Sequence, residues 1–249
     1  MTDVGVTGFL VLALAACLVG FAKTAIGGAA SISVALFAAV LPAKESTGAL
    51  LPLLLVGDVL AISAYRRHAD WSLLVRLFPS VAVGVGAGAL FVSAVDDTVM
   101  RRTIGAVLLV LVAVHVVRQR RAGGVLVAPT GAARHVAAAV FGVLAGFTTM
   151  VANAGGAVMS LYLLTMGLGM MGFLGTTAWF FGLVNAFKVP FSVGLGLIGT
   201  SSLLLCAALA PFVVAGGLLG RRVVGRLDQG LFSRIVLVVT VLSGLNLLR

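Results

Sequence analysis

Carboxylates are scarce in this chain. It carries seven Asp and Glu residues in 249, and charged residues of both signs make up only 10%. Six of the seven (Asp3, Glu45, Asp70, Asp96, Asp97 and Asp228) fall in loops or at segment ends, which leaves Asp58 alone inside an apolar run. An intramembrane aspartyl protease, which Gly57-Asp58 could suggest, needs a second buried Asp to share a proton, and none is there. Cysteine is limited to Cys17 and Cys206, both within apolar segments and without ligand spacing, so they read as packing thiols. His68, His115 and His135 are scattered near loops, and no HExxH sequence occurs, so no metal site or cofactor is expected. The net charge of +10 does not indicate nucleic acid, because the basic residues flank hydrophobic runs instead of forming a patch interleaved with aromatics. The first apolar segment has no positive region before it and no convincing small-x-small cleavage site, and is expected to stay as a helix.

What the chain does have is apolar sequence. Hydrophobic residues make up 61% and the mean hydropathy is +1.22, more than a soluble core of this length could use. The runs are continuous rather than alternating, which favours membrane-spanning helices over a barrel. Its 32 glycines suit helices that pack closely through small side chains.

A repeat organises these runs. Pro79, then Gly84, Gly86 and Gly88, then Asp96 is answered by Pro211, then Gly216 and Gly220, then Asp228, at a constant separation of 132, with Arg102 and Arg234 in register. Upstream, Gly27-Gly28 answers Gly155-Gly156, and Gly57-Asp58 answers Val184-Asn185. Each half holds five hydrophobic segments. The first half has roughly 4–22, 29–41, 47–64, 72–95 and 104–117; the second has roughly 136–151, 157–168, 173–198, 201–219 and 231–248. The second segment of each half is short and follows a Gly-Gly break, as a half-helix would. The expected architecture is therefore an all-α integral membrane protein: a first repeat over 1–118, a basic cytoplasmic linker over 119–134 and a second repeat over 135–249.

Basic loops set the expected orientation. Arg66-Arg67-His68, the linker arginines (Arg118, Arg120, Arg121 and Arg134) and Arg221, Arg222 and Arg226 can all be placed inside with alternating spans. Thr2-Asp3, the Lys44-Glu45 turn, the Asp96-Asp97 loop and the turn at Gly199-Thr200 then fall outside, and both termini are external. The third-to-fourth loop is internal in one half and external in the other, so the halves enter the membrane from opposite sides as inverted repeats.

A charge near the bilayer centre costs about 2.5–3.5 kcal/mol and needs a reason. Lys188 lies deep in the eighth segment, with Asn185 on the same helix face three residues earlier. Asp58, two turns from the internal end of its segment, could pair with Arg66 or Arg67, or serve coupling or gating. Lys23 ends an apolar run and could snorkel, yet Thr24, Gly27, Gly28, Ser31 and Ser33 follow it at once. The matching junction carries Thr148, Thr149, Asn153, Gly155 and Gly156. Glycine breaks leave amide N–H groups unpaired at the next helix's start, where they attract anions; close packing of glycines is the competing explanation. Lys23, Thr24, Gly27, Gly28, Ser31, Thr149, Asn153, Gly155, Gly156, Asn185 and Lys188 are the expected substrate-binding set, with Asp58 and Trp179 as coupling or gating residues. Trp179, Phe180 and Phe181 could shape a gate or simply pack, while Trp71 reads as an interfacial anchor.

The run Gly175-Thr176-Thr177 through Phe181, Asn185, Lys188 and Pro190 (GTTAWFFGLVNAFKVPF) resembles the sulfite/organosulfonate exporter family, the TauE/SafE-like permeases. The duplicated stretches GFAKTAIGGAASIS and GFTTMVANAGGAVMS, and the Tyr65-Arg66-Arg67…Asp70-Trp71 stretch, extend the resemblance over essentially the whole chain. It departs at Ala29 and Ala157, where a third glycine is usual, in the missing proline after each motif, and at Ser46-Thr47-Gly48, a loose echo of a Gly-Thr-Ser-like turn. The resemblance implies a secondary transporter of small sulfur oxyanions or sulfonated carboxylates in the cytoplasmic (inner) membrane, without selecting among sulfite, sulfoacetate, thiosulfate or another anion. The implied partners are a small anion and the lipid bilayer, not nucleic acid; protons and a second copy of the chain, as a homodimer, are left open. Carriers or channels for another small anion, for a carboxylate or for a cation are the rival functions.

Overall fold

The computed structural model describes residues 5–25, 30–121 and 131–223, with the single residues 238, 241, 245 and 248. Gly27-Gly28 and almost all of the expected tenth segment lie outside these residues, as does the middle of the linker. Regular structure among the described residues is helical throughout: α1 (Val6–Thr24), α2 (Ala30–Val40), α3 (Ala43–Tyr65) with a 3₁₀ turn at Arg66–His68, α4 (Trp71–Ala94), α5 (Asp97–Arg121), α6 (Gly131–Ala152), α7 (Gly155–Thr165), α8 (Met170–Gly194) and α9 (Thr200–Val223). α1, α3, α4, α6 and α9 are long and apolar enough to cross a bilayer. α2 and α7 have 11 residues each, a rise of about 16 Å, roughly half the hydrocarbon thickness. The expected ends of the linker prove helical: α5 continues through Arg121 and α6 begins at Gly131. Charged side chains do not end a helix once it has left the hydrocarbon.

Local chemistry explains several boundaries. Asp70 caps α4 by accepting the Ser72 and Leu73 N–H groups. Burial pushes the Asp70 carboxyl upward, but bonds from the Ser72 hydroxyl and the Leu73 and Ser72 amides, with help from Arg134, hold it below its ordinary value. Asp96 likewise accepts the Val99 N–H at 2.7 Å, and the Asp97 carboxylate reaches across to the Ala43 and Lys44 N–H groups at 3.1 and 2.9 Å. That bridge joins the start of α3 to the start of α5. Pro52, Pro79, Pro190 and Pro211 sit inside helices, which neighbouring helices can tolerate in a membrane protein.

Packing follows the glycines. α4 lies most extensively against α6, and α1 against α9. A Cβ on Gly84 would strike the Val143 carbonyl, and one on Gly146 the Val81 carbonyl. In the other pair, a Cβ on Gly216 would strike the Cys17 carbonyl, and one on Gly20 the Val213 carbonyl. Adding 132 to the α4 positions 81 and 84 gives 213 and 216, and subtracting 126 from the α6 positions 143 and 146 gives 17 and 20. The α4–α6 contact is thus repeated by α9 and α1 residue for residue, each half contributing its first long helix to the other half's fourth.

Helix directions come from the same contacts. Rising residue numbers pair with rising numbers between α1 and α9 and between α4 and α6, so those pairs run parallel. Along α3 and α8 the pairs are Tyr65 with Gly175, Ile62 with Gly182, Asp58 with Asn185, and Gly48 with Leu197 just beyond α8. Here one series falls as the other rises. The two elements the sequence marks as equivalents cross antiparallel.

One end of the bundle is basic. The Asp70 N–H donates to the Thr176 hydroxyl at 2.9 Å, Trp179 Nε1 donates to the Arg66 carbonyl at 3.3 Å, and Arg134 acts electrostatically on Asp70. The Tyr65 hydroxyl donates to the Thr24 carbonyl at 2.8 Å, and Thr24 lies against Gly220, beside Arg221 and Arg222. Large apolar side chains such as Val6, Val75, Val83 and Leu90 face outward. Such a surface needs lipid, not water.

Candidate functional site

Three helices place a charged cluster in the interior. Lys23 near the end of α1 donates to Asp58 Oδ1 on α3 at 2.5 Å, and Asn185 Nδ2 on α8 donates to Asp58 Oδ2 at 2.6 Å. Asp58 and Asn185 are each 1% exposed, and the Lys23 side chain only 11%. Gly57 makes the pairing possible, since a Cβ there would come within 3.0 Å of Lys23 Cγ. The Phe181 ring lies 4.3 Å from the Lys23 ammonium and shields it with an aromatic face. Because an ionised carboxylate only accepts, Asp58 fixes the Asn185 amide with its nitrogen inward. Asn185 Oδ1 is then a buried acceptor with no hydrogen-bond partner.

Lys188 stands one turn farther along α8, where the chain breaks between α6 and α7. It is 1% exposed and donates to the Thr149 carbonyl and to Asn153 Oδ1, both at 2.6 Å. The Thr149 carbonyl belongs to the last turn of α6, the negative end of that helix's dipole, which favours an ammonium. Asn153 makes the break with φ 50°, a left-handed conformation that Asn tolerates better than most residues. Its Nδ2 donates to the Thr47 carbonyl at 3.0 Å and ties the junction to α3. Gly155 then opens α7 in a tight space, where a Cβ would meet the Ala145 carbonyl and Thr149 Cβ at 2.9 Å. Gly156 follows, with Phe181 Cζ 3.8 Å from where its Cβ would stand. The first N–H groups of α7, without intrahelical partners, therefore begin close to two lysines and one carboxylate. Lys23 and Asp58 both act electrostatically on Lys188.

The structure thus gathers Lys23, Asp58, Thr149, Asn153, Gly155, Gly156, Asn185 and Lys188 into one region. Asp58 pairs with Lys23, not with Arg66 or Arg67, the partners that loop proximity suggested. Thr24 is drawn into helix packing: its hydroxyl donates to the Gly217 carbonyl at 2.8 Å across α1 and α9. Ser31 is half-buried on α2, while the neighbouring Ser33 is buried and donates to the Ala15 carbonyl at 2.9 Å. Trp179 packs against Trp71 with ring centroids 4.9 Å apart and the rings tilted by 52°, at the basic end and away from the lysines' partners. Gly27 and Gly28 lie outside the described residues. Thr47 and Tyr65 were not foreseen. Thr47 takes part through its carbonyl, which no side-chain pattern announces, whereas a tyrosine beside a basic loop was a signal available in the sequence.

Two cavities lie away from the cluster. One of about 590 Å³ runs between α5, α6 and α7 along Val110, Phe141, Leu144 and Val158, and one of about 480 Å³ lies between α4 and α8 at Gly86, Leu90, Pro190 and Phe191. Both have mainly apolar walls, so neither outweighs the buried charges as the place for ion chemistry. Among the described residues, no three His, Cys, Asp or Glu side chains come together as a metal site would require.

The profile of one family, Sulfite exporter TauE/SafE, matches residues 12–247. The matched stretch includes every residue of the buried cluster. No curated protein and no solved structure matches the chain.

Proposed function

The chain belongs to the sulfite exporter TauE/SafE family, and on that premise we propose that it moves a small anion by alternating access around the Lys23–Asp58–Asn185–Lys188 cluster. A sulfonate such as sulfoacetate, or sulfite, is the proposed substrate. The observation that carries this reading is Lys188, with 1% exposure in an apolar helix, held by neutral partners alone: the Thr149 carbonyl, the Asn153 amide oxygen and, at 3.4 Å, the Thr149 hydroxyl. A cation placed there for stability alone would be a poor choice, because desolvating it costs more than neutral hydrogen bonds return. With both lysines protonated, two ammoniums and one carboxylate leave the cluster one positive charge in excess, which an anion would balance.

In the proposed cycle, the substrate's oxygens take the place of Asp58 on Lys23 and of the Thr149 hydroxyl, the longest of its contacts, on Lys188, and draw on the α7 amides. Asp58, released from Lys23, is left buried without its cation and favours taking up a proton, which would couple anion and proton movement. The antiparallel crossing of α3 and α8, with Asp58 bonded to Asn185 where they meet, supports two inverted repeats. The gathering of basic residues at one end supports placing that end, with the 119–134 linker, in the cytoplasm and both chain termini outside a cytoplasmic membrane. Trp179 is proposed to gate the cytoplasmic path from its seat on Trp71.

The test is uptake by purified protein in sealed vesicles. The panel would hold sulfite, sulfoacetate, thiosulfate, sulfate and a small carboxylate, each at several pH values. Saturable uptake of a sulfur oxyanion or sulfonate, faster with an inward proton gradient, is expected. Preference for a plain carboxylate would reassign the substrate; no saturable flux of any anion would remove the transport reading.

A further inference from the structure

We propose that Arg76 and Arg134 form a second anion-binding site, at the basic end of the α4–α6 pair, that takes a tetrahedral oxyanion group such as a phosphate or a sulfonate. The two helices run parallel in a register fixed by Ser80, whose hydroxyl donates to the Ala138 carbonyl at 3.0 Å. One turn earlier on each helix stand Arg76 and Arg134, so the register brings the two side by side. Arg76 Nη1 and Arg134 Nε are both buried, and neither has a hydrogen-bond partner. Among the described residues, neither guanidinium has a carboxylate within ion-pair distance. Both, together with Asp70, act electrostatically on the Tyr162 hydroxyl, in keeping with that register. Asp70 is the nearby acid, but its Oδ1 is engaged by the Ser72 hydroxyl and the Ser72 and Leu73 N–H groups as the cap of α4. A guanidinium keeps its charge and its five donors at any physiological pH, and its planar fork suits an oxyanion.

The plain alternative is a pair of arginines snorkelling at a helix end. Two observations weigh against it. A fully snorkelled side chain carries its nitrogens into water, whereas each of these half-buried arginines keeps one nitrogen buried. The repeat also supplies its own control: the matching contact of α9 with α1 places Ala208 where α4 has Arg76, and Gly8 where α6 has Arg134, by the same offsets of 132 and 126. The interhelical contact is thus built without arginine at the other end of the molecule. Helix packing alone therefore does not call for the pair.

A phospholipid headgroup and a free solute oxyanion share this chemistry, and basic pockets between helices at the cytoplasmic side are known sites for anionic headgroups. Arg76→Gln, Arg134→Gln and the double variant would be compared with Arg101→Gln, an exposed arginine at the opposite end. In one arm, retention of phosphatidylglycerol against phosphatidylcholine is counted on the intact protein by native mass spectrometry. In the other, sulfite uptake is measured in phosphatidylcholine vesicles with sulfite supplied at the basic end. The double variant should lose about tenfold or more in one arm, read as lipid affinity or as a raised KM with kcat kept, and each single variant should lose part of it. Loss of lipid retention identifies a headgroup, and a raised KM identifies the solute. Unchanged retention together with an unchanged KM, in protein that melts like the parent, overturns the proposal. If the double variant does not fold, unchanged values in both single variants do the same. The lipid arm needs no transport, so it stands even where the transport reading fails.

Discussion

At the scale of single residues, the Lys188 ammonium and the Asp58 carboxylate make opposite demands on the interior. Lys188 has only dipolar hydrogen-bond partners, in the Thr149 carbonyl and hydroxyl and Asn153, so it retains attraction for an incoming anion. Lys188→Ala should cut anion affinity at least about tenfold, 1.4 kcal/mol or more, while the protein remains extractable and monodisperse. Direct binding of sulfite to the detergent-purified variant measures it, and unchanged affinity would take Lys188 out of the site. Some stability is lost as well, about 1–3 kcal/mol, because the Thr149 carbonyl and Asn153 Oδ1 lose the ammonium that serves them in the buried interior. Asp58 stands in a true ion pair, and removing one partner of a buried pair leaves the other uncompensated. Asp58→Leu should therefore destabilise by about 3–5 kcal/mol, seen as a lower melting temperature. Asp58→Asn can still accept from Lys23 and should fold. It is expected to exchange anion across vesicles yet lose the acceleration by a proton gradient; if a gradient still drives it, Asp58 is not the coupling group.

At the scale of helices, contacts between backbones decide which substitutions are tolerated. Gly84→Ala would push a methyl into the Val143 carbonyl, which cannot move without parting α4 from α6. The cost of such overpacking is about 1–3 kcal/mol, and its repeat counterpart Gly216→Ala, against Cys17, should cost the same within error. Two residues on from Gly84, a Cβ on Gly86 meets nothing within 4 Å, so Gly86→Ala should be neutral or gain up to about 1 kcal/mol from helix propensity. Melting temperatures in one detergent test all three, and equal losses at positions 84 and 86 would contradict the packing account. The helices themselves were legible in the sequence, because hydrocarbon thickness forces apolar runs of fixed length. Their ends were less so, since α5 carries its arginines on past the apolar part through Arg121. The candidate site was legible as a set of residue types, polar side chains in runs that should hold none. Its pairings were not: whether Asp58 meets Lys23 or Arg66 depends on how α1 and α3 dock, and two lysines and two arginines look alike to a carboxylate until that docking is known.

At the scale of the whole molecule, the exchange of helices between halves links the fold to its place in the membrane. α1 packs with α9 and α4 with α6 in equivalent, parallel contacts, while α3 and α8 cross antiparallel, the pairings that the proposed inverted repeats would produce through a twofold reversing helix direction. Such a twofold must lie in the membrane plane, and the two ends of the bundle would then be alike but for their side chains. They differ in charge. Arg66, Arg67, Arg134, Arg221 and Arg222 lie at one end; at the other, Ala43 and Lys44 are bonded to Asp97 beside the exposed Glu45. A basic excess in short loops is held on the cytoplasmic side, and the proposed direction of insertion follows from it. In a background with Cys17 and Cys206 replaced by Ser, single cysteines at Arg67 and Arg222 should resist a membrane-impermeant thiol reagent in intact cells and react after permeabilisation. A cysteine at Glu45 should react in intact cells. Labelling of position 67 on one side and 222 on the other would break the inverted arrangement itself, because the contacts through Tyr65, Thr24 and Gly220 hold those two loops at the same end. Reversal of all three labels would keep the repeats and turn the whole protein over, placing the Arg76–Arg134 pair on the outer face.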